Sequence, residues 1–301
     1  GSGLVGSEMC IRDSIKGCPP PEKLKYNKGL RGFRLFCDIT LYKYRNHCYN
    51  GDMKYHNFCN KNAFTLAEVL ITLGIIGVVA AMTMPSLIAS HKEKETVSKL
   101  KKVYSTLSNA FLLADEKYGT PDNWELIEYD SPEGANNLLS KLAEFMNVAK
   151  YCGNAAGCNT DVQYKYLNGS KYNYDLDSNT TYAKLILADG TMLAVNIREP
   201  DCKQERGNTA VLKNVCGTFS VDINGPKPPN QIGRDRFGFI LSKYGIIPHG
   251  SEQETMYSFD NNCKDISTHH GFGCTAWVIF NENLDYMHCN DLNWENKTKC
   301  K

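Results

Sequence analysis

The sequence lacks the local motifs by which most enzyme classes are recognised. Its 301 residues contain no His-Glu-x-x-His zinc motif, no Gly-x-Ser-x-Gly nucleophile turn, no Walker phosphate loop and no dinucleotide-binding glycine fingerprint. The seven histidines are scattered, and none lies in a recognisable nucleophile setting. A triad built from distant residues leaves no local pattern, so the absence excludes only the motif-bearing classes. We expect a protein that is not an enzyme.

The chain also lacks an excess of charge of either sign, with 34 basic and 33 acidic residues. The charges are nevertheless unevenly placed. Residues 1–63 hold 11 Lys and Arg against 5 Asp and Glu, whereas residues 64–301 hold 23 against 28. A basic segment before an apolar run favours a cytoplasmic N-terminus and export of the remainder. The mildly acidic remainder gives no support for a general DNA-binding surface, so nucleic acid is not an expected partner.

One long apolar run is present, FTLAEVLITLGIIGVVAAMTMP from Phe64 to Pro85. Its first 21 residues, Phe64 to Met84, would span roughly 31 Å as a helix, about the hydrocarbon thickness of a bilayer. The run holds a single acid, Glu68. A carboxylate costs on the order of 3 kcal/mol at the centre of a membrane helix and less near its edge, so a cationic or hydrogen-bonding partner is expected.

This run resembles the N-terminal signature of type IV pilins and type II secretion pseudopilins. That signature has a basic leader, a small residue that is usually Gly, then Phe-Thr-Leu-x-Glu and about sixteen apolar residues ending near a Pro. Here Ala63 takes the place of the usual Gly, Phe64 would be the first mature residue and Glu68 the fifth. The positions at which family members carry a helix-loosening residue are Gly74, Gly77 and Pro85.

The resemblance implies a structural subunit of a type IV pilus or a type II secretion pseudopilus. A prepilin peptidase would cut after Ala63 and methylate the Phe64 amine, which Glu68 of a neighbouring subunit could then bind to set the axial register. The implied partners are copies of the chain, other pilins, and an assembly ATPase with its platform protein. The subunit would cross the bacterial inner membrane once, with its head exported, before it joins a periplasmic pseudopilus or a surface pilus.

An alternative keeps the membrane segment but not the fibre. In this interpretation the chain is a signal-anchored periplasmic binding module that never polymerises. Its exported head would carry the function, through the loop that begins at Asp222 or through the Tyr-rich stretch 164–182.

Five segments are expected along the chain. Residues 1–52 look foreign or mis-assigned, because GSGLVGSEMCIRDS resembles a cloning or adapter scar and the rest lacks periodicity; a genuine cytoplasmic extension is the alternative. Residues 53–63 form the leader, 64–84 the membrane or fibre-core helix, 85–118 its amphipathic continuation and 119–301 the head. The continuation has apolar residues at steps of three and four, namely Val97, Leu100, Tyr104, Leu107, Phe111 and Ala114.

The head is predicted to be α+β, with a small antiparallel sheet packed on the long helix. A short amphipathic helix is predicted at Asn136–Ala149. Two alternating runs, Thr181–Leu187 and Thr191–Ile197, flank Asp189-Gly190 and predict a hairpin. Further strands are predicted at Thr218–Ile223, Arg236–Leu241 and Thr275–Phe280.

Eight cysteines follow the apolar run, and an even number beyond a membrane segment is typical of disulfides in an oxidising compartment. They are Cys152, Cys158, Cys202, Cys216, Cys263, Cys274, Cys289 and Cys300. Eight cysteines allow 105 pairings, and pairing in sequence order is the simplest because each bond closes a short loop. A zinc site is the alternative, since cysteines and histidines cluster from 263 to 289, although no CxxC or HxxxH spacing occurs there.

The segment from 222 to 235 gathers oxygen-bearing side chains among glycines and prolines. Its opening Asp-x-Asn-Gly is similar to the start of a calcium loop, but no acid stands at position twelve. Similar loops occur in pilin-like heads, some of which hold calcium. Turns stabilised by Asn and Asp side chains explain the same residues without a metal. The candidate calcium ligands are Asp222, Asn224, Asn230 and Asp235.

Overall fold

A computed structural model describes residues 65–264 and 270–301 of the chain. The described part contains one very long helix, two shorter helices and a single antiparallel sheet of six strands. The α+β class and the packing of the long helix with the sheet are therefore confirmed. The leader, the cleavage position Ala63-Phe64 and residues 1–52 lie outside the described residues.

The long helix α1 covers Leu66–Tyr118, and its 53 residues correspond to roughly 80 Å. It begins at Thr65, whose side chain and backbone exchange hydrogen bonds with Glu68 in a capping box. It stays helical through Pro85 and ends where Gly119 adopts a φ of 75°. The predicted helix 64–118 is thus one continuous element within two residues of its expected start.

The two halves of α1 differ in burial. Every large apolar side chain from Leu66 to Ile88 is exposed, Leu66 by 77%. Beyond Lys92 one stripe is buried in the core, and Leu107 is 0% exposed. The predicted stripe is confirmed, with Val97 and Tyr104 half-buried at its margin and Val103 and Ala110 added to it.

Helix α2 covers Pro132–Ala143, with Ser131 accepting a bond from the Gly134 N–H at its start. The predicted helix at 136–149 is confirmed over residues 136–143, but the helix begins and ends earlier in the chain than predicted. Pro132 suits the first turn because its missing N–H would have no partner there. After residue 143 the chain turns and forms the edge strand β1, Val148–Gly153, whose first two residues fall within the predicted helix.

The sheet is a meander in which each strand pairs with its neighbours along the chain. The predicted hairpin is confirmed, and its turn uses Gly190 at a φ of 87°, where a side chain would be strained. The strands are β1 Val148–Gly153, β2 Ala183–Leu187, β3 Met192–Ile197, β4 Val215–Asp222, β5 Arg236–Ser242 and β6 Gly245–Pro248.

The central strands are covered on both faces. Phe219 of β4 lies opposite Phe239 of β5, and the Phe239 ring stacks on Tyr104 of α1 with centroids 5.9 Å apart. Because side chains alternate along a strand, the intervening residues point to the other face. That outer face carries polar residues, with Ser220 opposite Gly238 and Asp222 opposite Arg236.

Helix α3, Thr275–Asn281, replaces the strand that was predicted there. The segment TAWVIF is rich in β-branched and aromatic residues, but a short apolar run does not distinguish a strand from a buried helix. Its first five residues are buried, and the Trp277 ring stacks on Phe259 at 4.1 Å. Burial on several sides suits a helix that packs against both α1 and β6.

The eight cysteines form four disulfides, each between neighbours in the sequence. The bonds join Cys152 to Cys158, Cys202 to Cys216, Cys263 to Cys274 and Cys289 to Cys300. The arrangement is the sequential pairing described above. The sulfurs of the clustered cysteines are bonded to one another, so they cannot serve as thiolate ligands of zinc.

Candidate functional site

The start of α1 forms a small polar site at the head of an apolar helix. The Thr65 N–H donates to Oε2 of Glu68 at 2.8 Å, and the Thr65 hydroxyl donates to the same oxygen at 3.0 Å. The Glu68 N–H donates in turn to Oγ1 of Thr65 at 3.2 Å. These contacts satisfy N–H groups that a helix start leaves without an intrahelical partner.

Thr65 caps this helix and is not among the predicted site residues. The signal was present, because Thr-x-x-Glu before an apolar run is the spacing of a capping box. Both bonds from Thr65 use Oε2 of Glu68, and Oε1 accepts no hydrogen bond from the residues that the structure describes. The carboxylate is thus held in place locally and still exposed to a second molecule.

The apolar surface behind this site runs along the helix without interruption. Among the described residues, α1 is the one helix long and apolar enough to cross a membrane. Gly74 and Gly77 lie in this part, and a Cβ at either position would meet nothing within 4 Å. Pro85 lacks an N–H, while the neighbouring Thr83 hydroxyl donates to the Val79 carbonyl at 3.0 Å. A helix-loosening role for these three residues stays a prediction.

The loop between β4 and β5 brings the four candidate calcium ligands together. The Asn224 N–H donates to Asp222 Oδ1 at 3.1 Å, and the Asn230 N–H donates to Asp235 Oδ2 at 2.7 Å. The Asn224 amide also reaches Asp235 Oδ2 at 3.4 Å. Both carboxylates are buried. Burial raises the pKa of Asp222 to about 7, and it also raises the pKa of Asp235.

Two oxygens in this loop have no donor. Oδ1 of Asn224 and Oδ1 of Asn230 are buried and accept no hydrogen bond from the described residues. Calcium takes six to eight oxygens from carboxylates, amides and backbone carbonyls, so this donor set fits it. Within the described residues no three His, Cys, Asp or Glu side chains converge. A cation here would therefore depend on the amide oxygens as well as the two carboxylates.

Comparison with known proteins gives two matches that do not overlap. Residues 59–84 match the prokaryotic N-terminal methylation motif. Residues 86–290 match a family described as "Family of unknown function (DUF6613)". No curated protein and no solved structure matches the chain.

The methylation motif covers Ala63, Phe64 and Glu68, so the resemblance stated from these residues is confirmed. The motif and the exposed apolar helix indicate a membrane-anchored, exported, pilin-like protein of structural type. Since the second match spans more than half of its length, the chain belongs to the DUF6613 family of unknown function and carries in front of that domain the prepilin-type methylation motif of pilins and pseudopilins.

Proposed function

We propose that the protein is a pilin-like structural subunit that is cut after Ala63, methylated on the Phe64 amine and polymerised through the first half of α1. The observation that carries the proposal is the contrast within α1. An apolar surface that no other described residue covers follows directly on a capped, exposed carboxylate. A lipid anchor needs the apolar surface, but it does not need the acid.

The apolar surface serves two environments in turn. Before assembly it lies in the inner membrane, with the head exported. After assembly it packs against the same helix of other copies or of other pilins. Lipid tails are as apolar as leucine, so this exchange is close to neutral in free energy. An assembly ATPase and its platform protein therefore supply the work of extraction.

Glu68 supplies the specificity that apolar contacts lack. In a stack of helices its free Oε1 faces the methylated Phe64 amine of the adjacent subunit, and the ion pair fixes the axial register. A single buried polar pair is the best-attested way to fix register in packed helices. The large head with four disulfides favours a specialised or minor subunit over the major one.

The processed N-terminus tests the proposal directly. Mass spectrometry of the protein from its own cells should find a chain that begins with N-methylated Phe64. A chain that keeps residues 53–63 and stays monomeric in the membrane would refute polymerisation and favour the signal-anchored binding module instead.

The Glu68→Ala variant tests the register pair separately. Membrane insertion should stay normal, because removing an acid from an apolar helix favours insertion. Incorporation into sheared fibres should fall about tenfold or more, since one partner of a buried pair is lost. The matched control is Glu95→Ala on the same helix, where the acid forms an exposed ion pair with Lys99 at 2.9 Å. Equal incorporation of both variants would contradict the role of Glu68.

We also propose that the β4–β5 loop holds a structural calcium ion through Asp222, Asn224, Asn230 and Asp235. The buried amide oxygens without donors support this, because an unpaired buried acceptor is costly unless something binds it. When bound, the ion would neutralise two buried carboxylates and fix the loop beside α1.

Thermal unfolding of the full chain in detergent micelles tests calcium binding. Free Ca²⁺ at about 100 times its Kd should stabilise the fold by about 2.7 kcal/mol and raise Tm by a few degrees relative to chelator. Asn224→Ala should abolish the rise, whereas Asn173→Ala, at an exposed site outside the loop, should keep it. An equal rise with Mg²⁺, or no rise with Ca²⁺, would count against the site.

A further inference from the structure

A cleft of about 420 Å³ lies on the outer face of the sheet, away from α1. Three arginines line it, and we call it the arginine cleft: Arg198 follows β3, Arg206 lies in the β3–β4 connection, and Arg236 begins β5. Its remaining wall is mostly aromatic, from Tyr166, Tyr172, Tyr182, Tyr257 and Phe272. The volume falls within the range of small-molecule sites, roughly 300 to 1,000 Å³.

Arg236 is the most deeply placed of the three, at 2% exposed. Its Nε donates to Oγ of Ser220 at 2.7 Å, and its guanidinium lies 4.4 Å from the Tyr164 ring centre and 4.9 Å from that of Tyr172. One terminal nitrogen, Nη1, is buried and has no hydrogen-bond partner among the described residues. A buried cationic donor without an acceptor costs free energy, and a ligand oxygen that accepted a hydrogen bond from it would lower that cost.

Arg206 and Arg198 are held in position by neutral groups and by a single acid. Arg206 is only 3% exposed, and its Nε donates to the Gln204 amide oxygen at 2.9 Å. Arg198 donates to the Tyr129 hydroxyl at 2.9 Å and meets Asp130 at 3.4 Å. The Nε of Arg198 is also buried without a partner in the described part of the chain.

The nearby acids lie behind the cleft wall, and two of them make their close bonds to other groups. Glu254 is engaged by His249 Nδ1 at 2.8 Å and by the Gly250 N–H at 2.7 Å. Asp222 lies opposite Arg236 in the sheet but accepts its close bond, at 2.6 Å, from the Tyr164 hydroxyl. Over the described residues, the pair of Arg198 with Asp130 is the one ion pair that these guanidiniums form. The described residues that line the cleft therefore include three guanidiniums and no carboxylate.

The aromatic wall adds a second requirement. The Tyr172 ring meets Tyr166 edge-on at 5.2 Å, and Tyr257 and Phe272 lie 5.5 Å apart, so the rings form a continuous surface. Such a surface stacks on a flat or ring-shaped group, while guanidinium forks bind carboxylate, sulfate or phosphate in pairs of hydrogen bonds. We propose that the arginine cleft binds a small organic acid in which a ring carries a carboxylate, sulfate or phosphate group.

The proposal is independent of fibre assembly, because none of the cleft residues belongs to α1. It assigns a ligand to the Tyr-rich stretch 164–182, which the structure leaves without a helix or strand and folds over the sheet. The arginines come from three separate segments, so no local sequence pattern indicates that they share a cleft.

Calorimetric titration of the full chain in detergent micelles tests the cleft with matched probes. The acids are glucuronate, 4-hydroxybenzoate and uridine 5′-monophosphate, and their neutral partners are glucose, 4-hydroxybenzyl alcohol and uridine. At least one acid should bind with a Kd below about 1 mM. Its neutral partner should bind at least about tenfold more weakly, and affinity should fall between low and high salt.

Three variants locate the binding. Arg198→Gln, at the more exposed rim, should lower the affinity for the acid about tenfold. Arg236→Lys should lower it by a similar factor, because lysine keeps the positive charge but cannot form the paired hydrogen bonds of a guanidinium. Arg234→Gln, an exposed arginine outside the cleft, should change Kd less than about twofold. Thermal unfolding checks that each variant folds. If Arg236→Lys does not fold, Arg198→Gln alone tests whether the acid binds in the cleft.

Three results would overturn the proposal. The first is that none of the three acids binds. The second is that an acid and its neutral partner bind equally well. The third is that a folded Arg198→Gln variant binds as tightly as the unaltered chain. The identity of the acid that binds best separates an acidic sugar from an aromatic acid or a nucleotide.

Discussion

The two halves of α1 are continuous in backbone and opposite in surroundings. Ile75 in the first half is 60% exposed, although it is as apolar as any residue in the core. The second half buries its apolar stripe in the head. Its polar face forms an ion pair between Lys102 and Asp189 at 2.8 Å and a hydrogen bond between Glu93 and His288 at 2.8 Å. The head thus needs only one half of the helix, and the other half is available to lipid or to other copies.

The largest effect should come from shortening a side chain in the buried half. Leu107→Ala removes a fully buried leucine, so the free energy of unfolding of the head should fall by about 4 kcal/mol. Ile75→Ala in the exposed half should change it by less than about 0.5 kcal/mol. Urea unfolding of the full chain in micelles, followed by tryptophan fluorescence, measures both. Similar losses would show that the halves are not distinct.

Removing one disulfide should again affect only the head. The bond between Cys202 and Cys216, which are 14 residues apart and buried, joins the β3–β4 connection to β4. Replacing both cysteines by alanine should lower the free energy of unfolding by about 3 kcal/mol. Membrane insertion should not change, and an insertion assay checks this beside the urea curve. A loss of insertion would mean that the exported head and the anchor are coupled.

A smaller change is expected at the start of α1. Thr65→Ala removes the side chain that exchanges hydrogen bonds with Glu68, which should weaken the first helical turn by about 1 kcal/mol. Amide exchange should speed up at residues 66–70 while the urea midpoint of the head stays the same. A shift of that midpoint would contradict the separation of the two halves.

The smallest effect concerns acid pH at the other end of the helix. Hydrogen bonds from Lys117 and from the Tyr118 hydroxyl lower the pKa of Glu144, which follows α2. A carboxyl with a lowered pKa in the folded state stabilises the fold above its unfolded value of 4.5 and loses this contribution as pH falls through the folded value. In the Glu144→Gln variant the urea midpoint should therefore fall slightly less steeply as the pH drops below 4.5. An unchanged acid profile would show that this contact adds nothing.

Local patterns predicted the parts of the fold that depend on local chemistry. The apolar run, the stripe through Leu107 and the hairpin at Gly190 each follow from a spacing that one element must satisfy by itself. The helix Thr275–Asn281 did not follow, because its β-branched sequence suits a strand, and the surrounding core decided otherwise. The predicted C-terminal end of α2 was wrong for a similar reason, since residues 148 and 149 belong to β1, which pairs with β2.

The candidate sites also differ in whether local sequence could predict them. The methylation motif and the loop of Asp222 are contiguous in sequence, so their residues could be named before the structure. The arginine cleft could not be named, because Arg198, Arg206 and Arg236 are brought together only when β3, β4 and β5 pair. An unpaired guanidinium nitrogen leaves no trace in a sequence.

The meander has a consequence for how the head is made. Every strand pairs with the strand before it, and every disulfide closes between adjacent cysteines, so each new piece completes contacts with the piece that emerged just before. Pairing between strands that are neighbours in the sequence keeps the entropy lost on closing each loop lower than pairing between distant strands would. A chain delivered N-terminus first can therefore build its sheet strand by strand upon a waiting α1, with few unpaired edges or free thiols exposed at any moment of delivery.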